Sequence, residues 1–119
     1  MSAFQGCHLL VVGENAPACN DFCKYLERQG AIVCGPFGSV GPAILVLSEL
    51  PFKAAVLDLN VEDPRSLELA GSLHKLHIPA VWLVNSGGQR FPRALQGAAR
   101  LIKPCNQNML LLRLKKLMF

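Results

Sequence analysis

Read by polarity alone, the chain alternates short unbroken apolar runs with longer stretches that carry an apolar stripe at helical spacing. The runs are Leu9 to Val12, Ala31 to Cys34, Ala54 to Leu59, Ala80 to Val84, and Leu101 to Ile102 with its neighbours. They lack polar alternation and are too short for helices, which is the pattern of strands covered on both faces in a parallel sheet. Between the first two runs, Asn15 can cap a helix with Pro17 in its opening turn. Ala18, Phe22, Tyr25 and Leu26 form its stripe, and Gly30 closes it. A second helix starts after Ser39, carries Pro42 near its start, continues through Ala43, Ile44 and Leu47, and stops at Pro51. A third spans about Ser66 to Leu76, with Leu67, Ala70, Leu73 and Leu76 spaced for one buried face. Only Pro92 to Ala98 remains for a fourth, room for little more than two turns. The fifth opens at Asn106, turns Leu110, Leu114 and Leu117 inward, and places Arg113, Lys115 and Lys116 late, where they suit the negative end of the helix dipole. The alternation predicts a single domain over residues 1–119: a three-layer, doubly wound α/β fold, (βα)5, around a parallel five-stranded sheet.

Composition sharpens this picture. At 51% apolar and 17% charged residues, the 119-residue chain is globular. Its mean hydropathy of +0.32 is high for a small monomer and predicts a sticky face and a homodimer. The five cysteines are odd in number, and Met1 to His8 lacks a secretory pattern, which points to a reducing cytoplasm. No apolar stretch approaches the roughly 18 residues that span a bilayer, so a membrane-spanning role is excluded. The net charge of +4 comes from scattered residues, with no helix-turn-helix, zinc-finger or aromatic-stacking pattern, and points away from direct nucleic-acid binding.

In open α/β sheets, ligand chemistry gathers beyond the carboxyl ends of the strands. There the chain places Gly13-Glu14-Asn15 after the first run, Asp58 and Asn60 late in the third, Val84-Asn85-Ser86 after the fourth, and Lys103-Pro104 after the fifth. Two carboxylates and a lysine, distant in sequence, converge on one edge. The segments LLVVGEN, AAVLDLN, IPAVWLVNSGG and ARLIKPC, in that order and spacing, resemble the receiver domain of bacterial two-component response regulators, from His8 to Leu117.

The resemblance implies a flavodoxin-like sheet of order 2-1-3-4-5. It makes Asp58 the phosphoacceptor, a carboxylate that attacks a phosphohistidine or small phosphodonor while Lys103 and a divalent metal neutralise charge on the transferring group. The resemblance also implies magnesium, held by Glu14, Asp58 and the main-chain carbonyl of Asn60, more weakly than is usual. Such a domain is a signalling phosphoacceptor in a phosphorelay, able to phosphorylate itself from small donors, rather than an enzyme. Its partners are a histidine kinase or phosphotransfer protein and a downstream protein target, met through the face of the fourth helix, fifth strand and fifth helix. Arg90, Arg93 and Arg100 make that face basic.

Three positions depart from the family pattern. Gly13 stands where the first acid would be, Val84 where a hydroxyl residue would bind the phosphoryl group, and Arg100 where an aromatic switch would rotate. Asn85 or Ser86 would have to supply the missing polar group, with Gly87-Gly88 reshaping the loop. The reading is an atypical receiver phosphorylated on Asp58. The alternative is a pseudo-receiver that binds partners whatever its phosphorylation state. A cysteine-based redox or iron–sulfur sensor is a further alternative, since Cys19 and Cys23 lie one helical turn apart and Cys7 and Cys34 fall on neighbouring strands. Against it, free cysteines are commonly small buried apolar residues. His8, His74 and His77 have no ligand spacing, and the Ser86-Gly87-Gly88 loop lacks the lysine of a nucleotide-binding loop. A phosphatase with its nucleophile after the first strand would need an aspartate at Gly13, and a serine hydrolase a GxSxG elbow. The chain is read either as a stand-alone regulator or as a receiver from a longer protein.

Overall fold

The computed structural model describes residues 3–85, 91–95 and 97–119. In chain order it contains β1 (His8–Gly13), α1 (Ala16–Arg28), β2 (Ile32–Phe37), α2 (Val40–Val46), β3 (Phe52–Asp58), α3 (Pro64–Lys75), β4 (Ala80–Val84), a 3-10 turn (Arg93–Leu95), β5 (Ala99–Ile102) and α4 (Gln107–Met118). All neighbouring strands run parallel, in the order β2-β1-β3-β4-β5. This is the flavodoxin-like arrangement expected from the runs and from the family likeness.

The apolar runs became strands because helices cover the sheet on both faces. One core layer joins Leu10, Val12, Leu57 and Trp82 to Val40, Leu69 and Leu73 of α2 and α3. The other joins Leu9, Val11, Val56 and Leu83 to Cys19, Cys23 and Leu26 of α1 and to Leu110 and Leu114 of α4. The Tyr25 hydroxyl donates to Asn108 Oδ1 at 3.1 Å and ties α1 to α4. The edge strand β2 differs from the expected fully covered run, with Ile32 51% exposed, because it has a neighbour on one side only.

The starts of α1, α2 and α4 follow the sequence cues, but α2, expected to continue through Leu47 to Pro51, ends at Val46 with Leu47 as its C-cap. Asn15 caps α1, accepting from the Ala18 amide at 3.5 Å, and Gly30 follows its C-terminus at φ +96, a conformation that favours glycine. Asn106 Oδ1 accepts from the Met109 amide at 2.9 Å and opens α4. Helix α3 starts earlier than its stripe suggested, because Asp63 caps it and Pro64 occupies its first position. Its inward face is Ser66, Leu69 and Leu73, with Leu67 and Ala70 half-buried. Leu76, expected inward, lies beyond the last helical turn and is 46% exposed.

The fourth helix is the main difference. Its described residues close two successive tight turns, the Leu95 amide donating to the Pro92 carbonyl at 2.9 Å and the Ala98 amide to the Leu95 carbonyl at 3.0 Å, with a single 3-10 turn at Arg93–Leu95 in place of an α-helix. A span bounded by Pro92 and Gly97 is too short to repay the cost of nucleating an α-helix. The fold therefore has four α-helices rather than five among the described residues. Of the predicted basic face, Arg93 and Arg100 are exposed, and Arg90 lies outside the described residues. No described helix is long and apolar enough to cross a membrane.

Candidate functional site

The ends of β1 and β3 lie side by side, with Gly13 in register with Asp58. Asp58 is the last residue of β3 and only 7% exposed, a desolvated carboxylate that needs a partner. Lys103 supplies it. The Lys103 Nζ donates to Asp58 Oδ1 at 2.6 Å, a charge-assisted bond reaching across the sheet from the loop after β5. The lysine backbone is fixed in turn, its amide donating to the Val84 carbonyl at 2.7 Å.

Around this pair opens a cleft of about 480 Å³, lined by Glu14, Asn15, Asp58, Leu59, Asn60, Glu62, Leu83, Asn85 and Lys103. The structure thus brings together Glu14, Asp58, Asn60 and Lys103 as the sequence placed them. Val84 is buried in the core rather than lining the cleft, so it offers the cleft no polar group. Asn85 stands in the cleft instead; Ser86, Gly87 and Gly88 lie outside the described residues. Glu62 was missed. It follows β3 in the loop leading to α3, where Asn60 Oδ1 accepts its amide at 3.0 Å. The acidic tail VED signalled a carboxylate near Asp58, but only the turn at Asn60 brings the middle residue to the cleft.

Three carboxylates against one ammonium leave a deficit of two charges, the charge of a divalent cation. The described residues hold no cluster of three or more His, Cys, Asp or Glu side chains at metal-binding separation. The donors are nonetheless hard oxygens, and magnesium commonly uses one or two carboxylates while keeping several waters. The Asn60 carbonyl already accepts from the Asp63 amide at 3.1 Å, so a cation there would need its second lone pair. The residues fit a loosely held magnesium and not a closed cage.

Position 100 also gains a structural reading. The Arg100 guanidinium stacks 4.3 Å from the centroid of Phe91, and Phe91 meets Trp82 edge-to-face at 6.4 Å between centroids. A cation thus sits on an aromatic supplied by a different segment. Cys19 and Cys23 are buried, and that burial pushes both thiols up to about 11; the Asp58 carboxylate adds to the effect at Cys19 while Lys103 opposes it. Such thiols are poor nucleophiles near neutral pH. Among the described residues no three or more Cys, His, Asp or Glu side chains stand at metal-binding separation, so the structure lends the four-thiolate alternative no support.

No protein-family model and no curated relative matches the sequence. Among solved structures, it matches a CheY-like response regulator receiver domain protein from Methanospirillum hungatei with a TM-score of 0.80 and 21% identity, over 94% of this chain and 93% of that one. The chain has the receiver-domain fold. SdrG from Pseudomonas melonis, in its BeF3-activated conformation, gives a TM-score of 0.77 at 22% identity over the whole of both chains. The receiver domain of a Saccharomyces cerevisiae response regulator, solved with a histidine phosphotransfer signalling protein, gives 0.78 at 17%, over 98% of this chain and 92% of that one. On the receiver fold, Asp58 and Lys103 stand at the carboxyl edge of the sheet, where ligand chemistry gathers in open α/β folds.

Proposed function

We propose that this domain is an atypical receiver in two-component phosphorelay signalling, accepting a phosphoryl group on Asp58 and acting through protein contact. The supporting observation is the Asp58–Lys103 pair, 2.6 Å apart, at the floor of an acidic cleft on a receiver fold. An Asp58 carboxylate oxygen attacks the phosphorus of a phosphohistidine or acyl phosphate. The new P–O bond forms as the old P–N or P–O bond breaks, and the donor leaves with that electron pair. Lys103 already holds Asp58 Oδ1 and stands ready to bond the incoming phosphoryl oxygens, a form of preorganised charge stabilisation. Bound magnesium would neutralise part of the phosphoryl charge, and Glu14, Asp58 and Asn60 would hold it, with Glu62 adding negative potential. This is phosphoacceptor behaviour rather than turnover of an external substrate.

The partner complex of the yeast neighbour supports a histidine phosphotransfer protein or kinase as donor. Val84 and Arg100 leave no hydroxyl-to-aromatic switch, so the downstream target reads a different change. A cytoplasmic location fits this role. The test is to incubate the protein with acetyl phosphate and magnesium and weigh it intact. The wild type should gain one phosphoryl mass, and the Asp58→Asn variant should not. Equal masses before and after for the wild type would leave the pseudo-receiver reading in its place.

A further inference from the structure

The acid missing at position 13 has a physical cause, which lies in α1. A Cβ built on Gly13 would overlap Cys19 Sγ and come within 2.9 Å of Asp58 Cβ. Real Cβ atoms essentially never approach so closely, and both neighbours are held: Cys19 is 1% exposed within the α1 core layer, and Asp58 is fixed by its strand and by Lys103. The thiol thus fills the space that a side chain on residue 13 would enter, directly behind the phosphoacceptor. We infer that Cys19 is a positioning residue for the cleft: together with Asp58, its side chain requires glycine at 13 and excludes an acid there, which leaves cation binding to Glu14, Asp58 and Asn60.

The role is steric, so it needs no redox or metal chemistry at the thiol. It explains why the departure at 13 coexists with an intact Asp58–Lys103 pair, since a side chain at 13 would be wedged between Cys19 and Asp58, and only loss of the thiol gives it room to move away from Asp58. Its functional half rests on the reading of the cleft as a divalent-cation site; its packing half does not.

A double-mutant cycle separates the two. Gly13→Ala should lower Tm by about 5–15 °C, as expected for overpacking in a domain of this size. In a Cys19→Ala background the same substitution should cost less than half as much. For the cation, Mn2+ affinity is read from the electron paramagnetic resonance signal of free Mn2+. Gly13→Asp/Cys19→Ala should bind about tenfold tighter than Cys19→Ala alone, because affinity for hard cations follows ligand charge. Gly13→Asp with Cys19 retained should fold poorly or bind no tighter than wild type. Additive Tm costs would overturn the inference and leave Asp58 as the sole wall. Thermal coupling without tighter Mn2+ binding would overturn the cation reading while the packing result stands.

Discussion

Asp58 sits at the end of an apolar strand because Lys103 compensates its desolvation, and the two residues should therefore differ in what their loss costs. Removing the lysine strands a carboxylate that is 7% exposed, whereas removing the carboxylate strands an ammonium that can turn to solvent, the lysine side chain being 34% exposed. Lys103→Met should thus destabilise the fold by about 1–3 kcal/mol, less than a fully buried pair would lose. Asp58→Asn should be nearly neutral or stabilising, and the double variant should resemble Asp58→Asn. Urea unfolding at neutral pH measures this, and a Lys103→Met variant as stable as wild type would show that the pair does not compensate Asp58. At this scale the sequence was legible where chemistry and strand position coincide, as at Glu14, Asp58, Asn60 and Lys103. Glu62 and the Gly13–Cys19 packing were not, because a turn and an interlayer contact decide them, and no spacing rule encodes either.

Among the elements, α1 has the most consequence for the site, since its buried thiols form the wall behind β1. Cys19 and Cys23 are raised from 9.0 to about 11, so the folded state keeps protons that the unfolded chain gives up first. For a group whose folded value is raised, the stabilisation is complete below the unfolded value and fades as pH climbs to the folded one. Thermal stability should therefore fall between about pH 9 and 11, and a Cys19→Ala/Cys23→Ala variant should show a shallower fall over that window. Parallel slopes for the two proteins would contradict the burial account. The helix caps at Asn15 and Asn106 could be read from the chain because capping is local. The fourth helix could be placed but not sized, since Pro92 and Gly97 allow only a 3-10 turn. Leu76 misled because helical spacing does not show where a helix ends.

The whole molecule follows from alternation: five apolar runs without polar breaks require cover on both faces, and the intervening helices provide it. That logic made the doubly wound sheet legible, and the family likeness supplied the strand order that sheet pairing then shows. The order matters for function because it sets β1 and β3 next to each other and brings the β5 loop over their ends, gathering residues 14, 58 and 103 into one cleft. The account stands on Asp58 acting as a nucleophile at that point. Borohydride reduces an aspartyl phosphate to homoserine, which tandem mass spectrometry can place on the chain. After treatment with acetyl phosphate and magnesium, the account predicts homoserine at residue 58 and nowhere else, and none when magnesium is withheld. Homoserine at another position, or an unmodified residue 58 after full treatment, would contradict it.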